Sequence, residues 1–286
     1  MSRFAIAGLQ LELPNRDNVE YLCSEVETAV RRFPWLDMVV LGELASFGPN
    51  TTAAQPMPGP AEETYRALAQ RLGVWLVPGS LYERSDGRIY NTAPVIDPSG
   101  KVVARCRKLF PWLPYEKDVA AGQECVVFDV PRVGRFGISI CYDMWFPETT
   151  RALAWQGAEV LIHPTMTSTI DREVELAMVR TTAATNQCYV VDVNAAGRLG
   201  NGRSIVAGPG GEVIYQAGTT REFVPVMIDL SQVRDARRRG WHGQGQVLKS
   251  FRDSAVRYPQ YQPGARSPQL DALGAMAMPA RAKLDP

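Results

Sequence analysis

Gly137-Ile138-Ser139-Ile140-Cys141-Tyr142-Asp143-Met144-Trp145-Phe146-Pro147-Glu148 changes character at its fifth residue. Before the cysteine runs an apolar segment rich in β-branched residues. After it come polar and aromatic residues, a Pro-Glu pair and a helical pattern over 149–156. The pattern predicts a strand, a sharp corner and a helix, with Pro147 near the first helical position, where its missing N–H costs nothing. A thiol at such a corner lies at the carboxyl end of a strand and near the positive end of a helix. That is where α/β sheets expose reactive groups and where a thiolate is favoured. The plain alternative is a small buried hydrophobe, the common fate of a free cysteine, and this segment alone leaves both open.

Toward the amino terminus, 3–11 predicts a strand and 15–33 an amphipathic helix. The apolar run 37–43 predicts a short buried strand that ends in an acid, Glu43. A Pro/Gly-rich loop over 47–60 leads to a helix over 61–72, then strands over 75–82, 88–96 and 101–107. Asp97-Pro98-Ser99-Gly100 makes a hairpin turn between the last two. Beyond the cysteine corner the pattern predicts a strand over 159–163, a long helix over 170–186 and a very apolar strand over 188–193. A second hairpin turn at Gly208-Pro209-Gly210-Gly211 precedes a strand running to Ile228 and a helix from Leu230. Helices alternating with parallel-type strands, plus hairpins, predict a mixed sheet covered by helices. Residues 262–286 are Pro/Ala-rich and read as an arm or disordered tail after a domain over 1–261.

The 286 residues are 45% hydrophobic and 21% charged, enough apolar content for a sizeable core. Length would allow two domains, but no linker or charge block divides the chain. A net charge of +1 with interspersed acids and bases argues against nucleic-acid or polybasic membrane partners. The beginning of the chain enters a strand directly, without a signal peptide, and no 18-residue apolar stretch exists. Five widely spaced cysteines (23, 106, 125, 141 and 188) suit a reducing cytoplasm rather than a disulfide framework.

A cysteine nucleophile needs a base and a stabiliser for the developing oxyanion. Only two histidines exist. His163, at a strand end, keeps a Cys–His arrangement open, while His242 beside Trp241 reads as a surface or interface residue. Neither HExxH nor CxxC spacing is present, which disfavours a histidine-based metal site, and Gly200-Asn201-Gly202 and Gly243-Gln244-Gly245 lack the rest of a dinucleotide loop. Carboxylates and lysines at strand ends are better candidates. Glu43 sits among apolar neighbours in Leu41-Gly42-Glu43-Leu44-Ala45-Ser46-Phe47-Gly48, where desolvation would raise its pKa and make it a usable base. Lys108 sits in Arg107-Lys108-Leu109-Phe110-Pro111-Trp112-Leu113-Pro114-Tyr115-Glu116, where a strand gives way to a rigid loop able to aim an ammonium at an oxyanion. A cap or loop acid and a solvated lysine are the competing readings.

Taken in this order, the three segments resemble the nitrilase-like carbon–nitrogen hydrolases, and the resemblance runs from about residue 4 to 249. Glu43 matches the family's catalytic glutamate and Lys108 its lysine, in a K-x-x-P-W-x-P-x-E pattern close to that of aliphatic amidases and formamidases. Glu116 matches the second glutamate, and Cys141 the nucleophile in C-x-D-x-x-x-P-E. Further likeness to aliphatic amidases lies in Asn186-Gln187-Cys188-Tyr189-Val190, in Asn194-Ala195-Ala196-Gly197, and in the segment 230–237. The resemblance implies an α/β, four-layer αββα sandwich with the site at the strand ends, and a homo-oligomer. It also implies roles: Glu43 as the proton carrier, Lys108 and the Tyr142 N–H at the oxyanion, Glu116 orienting the ammonium, and no cofactor.

Two departures bear on the substrate. Tyr142-Asp143 stands where nitrilases usually carry a Trp–Glu pair, which favours amides over nitriles. Trp145 stands where many carbamoylases and ω-amidases carry an arginine suited to a carboxylate, and where aliphatic amidases carry a small or polar residue. With Trp112 and Phe47 flanking the lysine and glutamate segments, the expected pocket is partly aromatic and short of positive charge beyond Lys108. A small neutral carboxamide fits it best. The alternatives are an N-carbamoyl amide hydrolase, an inactive binding or scaffold member of the fold, and a redox sensor, for which no resolving cysteine lies near Cys141 in sequence.

Overall fold

Along the first strand Phe4 and Ile6 face one way and Ala5, Ala7 and Leu9 the other, and all five are buried. A strand apolar on both faces needs a cover on each. In the computed structural model, which describes residues 2–278, those covers are a helical layer and a second sheet.

The first sheet collects β1 (Arg3–Gln10), β2 (Met38–Leu41), β3 (Trp75–Val77), β4 (Leu81–Ser85), β5 (Arg88–Ile96), β6 (Val102–Arg107) and the two-residue β7 (Val119–Ala120). Helices α1 (Val19–Arg32) and α2 (Pro60–Leu72) cross between its parallel strands and cover its outer face. On α1 the residues Leu22, Val26 and Ala29 recur at helical spacing and are fully buried against that face. The second sheet runs through β8 (Val126–Val130), β9 (Gly134–Ile138), β10 (Val160–Thr165), β11 (Tyr189–Asn194), β12 (Ile205–Ala207) and β13 (Val213–Gln216). Its outer face is covered by α3 (Pro147–Trp155) and α4 (Arg172–Asn186), through Leu153, Leu176, Val179 and Ala183. The chain then returns to the first sheet as β14 (Glu222–Asp229), which pairs antiparallel with all of β1, and ends in α5 (Leu230–Arg239), α6 (Val247–Arg252) and α7 (Pro268–Asp271).

Between the sheets lies the central core, with Phe4, Ile6, Met38 and Val40 meeting Phe136, Ile138, Ile162 and Val191. The result is helix, sheet, sheet, helix: the four-layer αββα sandwich.

Four local expectations need correction. The single mixed sheet is two sheets. The strand expected over 75–82 breaks into β3 and β4 at Pro78-Gly79-Ser80, because Gly79 takes φ +72° and passes so close to Gly42 that a Cβ there would lie 1.8 Å from the Gly42 carbonyl oxygen. The strand expected to run to Ile228 is β13 and β14, which belong to different sheets. Strand β8, read from Val126-Val127-Phe128-Asp129-Val130, was not expected at all. Both hairpin turns are present. Residues 262–278 are almost wholly exposed and include α7, and the remainder of the expected tail, 279–286, lies outside the described residues. Before it, Phe251 of α6 and Tyr261 pack on α3, Phe251 edge-on to Trp155 and Tyr261 donating to Glu148 Oε1 at 3.0 Å.

Candidate active site

Three of the expected residues follow the carboxyl ends of strands, two of them (β2 and β9) in parallel pairings and one (β6) antiparallel to β5. Glu43 comes two residues after β2, Lys108 immediately after β6, and Cys141 three residues after β9. The two sheets bring them together at one cavity of about 630 Å³, lined also by Glu116, Tyr142, Trp145, Trp112 and Tyr82.

Glu43 is held by both sheets. Its N–H donates to the Thr165 carbonyl at the end of β10 (3.1 Å), an approach that Gly42 permits. Its carboxylate Oε1 accepts from Asn91 Nδ2 and from Lys108 Nζ, each at 2.8 Å. Burial pushes the Glu43 pKa above the usual carboxylate value; Lys108 opposes and Glu116 adds to the rise.

The Lys108 ammonium, 2% exposed, also donates to Glu116 Oε2 at 2.7 Å. Burial favours its neutral form, but Glu43, Cys141 and Glu116 outweigh that, and its pKa lies well above the usual lysine value. Glu116 is fixed in turn by the Trp112 N–H on Oε2 (2.6 Å) and the Tyr82 hydroxyl on Oε1 (3.3 Å).

Cys141 opens a short 3₁₀ turn, Cys141–Trp145, and takes φ +46°, a left-handed conformation that a non-glycine residue adopts at a cost and that is typical of functional corners. Its thiol lines the same cavity as the Glu43 carboxylate, and the two groups interact electrostatically. Burial and the negative charge of Glu43 push the thiol pKa well up, despite Lys108. This runs against the expected thiolate, since both influences favour the protonated thiol at this corner. Asp143 locks the corner to the lysine segment, accepting from the N–H groups of Ile140 (2.9 Å), Leu109 (3.0 Å) and Phe110 (2.8 Å).

The remaining expectations divide. His163 is buried outside the cavity, with Nδ1 2.9 Å from Ser139 Oγ and its pKa pushed down to about 4 by burial, so it is no base for Cys141. Its other nitrogen faces Asp192, itself paired with Arg172, which also binds Glu175. His242 is exposed beside Trp241, far from these groups in the fold. Phe47 does not line the cavity: after the turn at Leu44, with φ +50°, it is half-buried and packs against the core cluster beneath α1 and α2. Trp145 lines both the cavity and an adjoining apolar groove over α3 and α4. Arg198 also lines the cavity, opposite in sign to Asp118 and Asp171, so Lys108 is not its only positive charge.

Asn91, Tyr82, Thr165 and Arg198 were missed. Asn91 carried a signal, as a polar residue inside an otherwise buried strand. Among the described residues no cluster of three or more His, Cys, Asp or Glu side chains is disposed to hold a metal ion.

Comparison with known proteins agrees with this fold. A sequence model of the carbon–nitrogen hydrolase family matches residues 5–238. The human omega-amidase NIT2 is 28% identical over 260 residues, spanning 83% of this chain and 92% of its own. A formamidase of Bacillus cereus (strain Q1) is 33% identical over 187 residues, 63% of this chain and 56% of its own. The crystal structure of Saccharomyces cerevisiae Nit3, a member of the nitrilase superfamily, superposes with a TM-score of 0.77 at 26% identity, covering 83% of this chain and 94% of that one.

Proposed function

The chain belongs to the carbon–nitrogen hydrolase family, and we propose that it is an amidase converting a small neutral carboxamide to carboxylate and ammonia through a thioester on Cys141. The observation that carries the reading is the buried Glu43–Lys108–Glu116 chain sharing one cavity with the Cys141 thiol. Lys108 has three N–H donors and spends two on the glutamates. The third is left for a carbonyl oxygen that turns into an oxyanion, alongside the Tyr142 N–H.

In the first half-reaction the Cys141 sulfur attacks the amide carbon while its proton passes to Glu43. The tetrahedral adduct collapses, Glu43 returns the proton to the nitrogen, and ammonia departs. In the second, water loses a proton to Glu43 as it attacks the thioester; the C–S bond breaks and the thiol is restored. A base with a raised pKa suits both directions of transfer.

Trp145, Trp112 and Tyr142 give the cavity an aromatic wall that favours an apolar acyl group, at roughly 0.8 kcal/mol per buried methylene. A second reading, an amide bearing a distal carboxylate, is favoured by Arg198 and by the omega-amidase relative. An ammonia-release panel over short amides, N-carbamoyl amines, N-carbamoyl amino acids, ω-amides of dicarboxylates and nitriles separates them. Neutral amides should exceed their carboxylate-bearing analogues ~100-fold in kcat/KM; the reverse order would establish the second reading and reject the first. Turnover of none of these compounds would remove the amidase assignment. A cytoplasmic, homo-oligomeric protein completes the proposal, in keeping with five free thiols.

A further inference from the structure

Catalysis by Glu43 requires one of its two oxygens to face the thiol and carry the proton, and a freely turning carboxylate would offer either. Oxygen Oε1 accepts from both Asn91 Nδ2 and Lys108 Nζ, each at 2.8 Å, and these two donors fill its two lone-pair directions. We propose that Asn91 is a positioning residue for this reaction: with Lys108 it saturates Oε1 of Glu43, so that Oε2 alone exchanges the proton with Cys141 and with the departing nitrogen.

Asn91 is fully buried on β5 and does not line the substrate cavity. Among the described residues its side-chain oxygen has no hydrogen-bond partner and its side-chain nitrogen donates to Glu43 alone, so that contact orients the amide. A buried polar group left half-satisfied is costly, and here the half that is satisfied points at the base. The same residue also sets the lysine, because its backbone carbonyl accepts the Lys108 N–H at 2.8 Å. Directly across the ladder from Asn91 stands Tyr82, whose hydroxyl holds the second glutamate. One cross-strand pair thus fixes both carboxylates that the lysine bridges.

Two consequences separate positioning from plain packing. An N–H donated to the charged form of Glu43 favours that form, so removing it should raise the pH at which the base becomes active. Because Asn91 does not meet substrate, KM should stay put while kcat falls.

The inference rests on Glu43 being the base, and the experiment keeps the two apart. In Asn91→Ala and Asn91→Asp, kcat should fall at least ~10-fold with KM within about twofold, and the acid limb of the kcat profile should move up by about one pH unit. The rate of Cys141 alkylation by iodoacetamide should show the same shift without any turnover. In the unmutated protein, selectively ¹⁵N-labelled on asparagine, the Asn91 side-chain amide should titrate with that same limb, and in Glu43→Gln it should not titrate. Unmoved limbs in the variants, a loss confined to KM, or an Asn91 amide that ignores pH would each overturn the proposal. A fully active Glu43→Gln would instead overturn the base assignment on which it rests.

Discussion

Exchanging the Cys141 sulfur for oxygen changes the acidity of the nucleophile and little else, since serine fits the same corner. Cys141→Ser should therefore keep its circular dichroism spectrum and lose nearly all turnover, and intact mass should show an acyl adduct on the unmutated protein but not on the variant. Near-normal activity in Cys141→Ala would reject the mechanism. Lys108→Ala should lose at least ~100-fold in rate and also melt earlier, because it strands Glu43 and Glu116 together in a buried site, a change of roughly 3–5 kcal/mol. Glu43, Lys108 and Cys141, which the fold brings to one cavity, were legible in the sequence because an acid, a lysine and a thiol at strand ends are chemically conspicuous. Asn91 and Tyr82 were not, since their role exists only through the β4–β5 register that sets them side by side. Phe47 was misread for a related reason: its neighbours in sequence line the site, but the backbone of Leu44 decides where the next turn goes.

At the scale of strands and helices, the break at Gly79 and the pair of sheets were the features that periodicity could not reveal. An apolar run such as 75–82 reads as one strand until a second backbone, that of Gly42, has to pass beside it. Gly79→Ala should cost at least ~2 kcal/mol, from its left-handed φ plus the clash, and should lower activity because Gly42 precedes Glu43; an unchanged melting temperature would contradict this. Strand β10 carries a second testable feature. His163 is buried among Ser139, Asp192, Arg172 and Glu175 with its pKa depressed to about 4, against about 6.5 in an unfolded chain. As pH falls from about 6.5 toward 4 the unfolded chain takes up a proton that the folded protein refuses, so stability is lost across that window, by on the order of 3 kcal/mol. The urea midpoint should fall more steeply there than in His163→Asn; parallel curves would show that the imidazole does not titrate on unfolding. Sequence placed His163 at a strand end, whereas it lies inside β10 with Pro164 and Thr165 still to follow, and its burial there makes it a core histidine rather than a base.

Over the whole molecule, the groove between α3 and α4 leaves Trp155, Val174 and Ala177 exposed, while Leu176 and Val179 of α4 are core residues. An apolar face of this kind beside the site fits a second copy of the chain, and light scattering at micromolar concentration should give at least a dimer. A monomer with full activity would refute it. The wider plan of the molecule also orders events in time. Glu43 and Lys108 come from the first sheet and Cys141 from the second, yet the first sheet is complete only when β14 pairs with β1 along Glu222–Asp229. A nascent chain therefore carries Cys141 for on the order of ten seconds of synthesis before the strand that closes the sheet of Glu43 has been made. Until then β1 is an open edge and the thiol has no framework holding its proton acceptor in register. A chain cut short of that strand should therefore be inert as well as unstable, with the last strand of the sheet acting as the switch for the proposed chemistry.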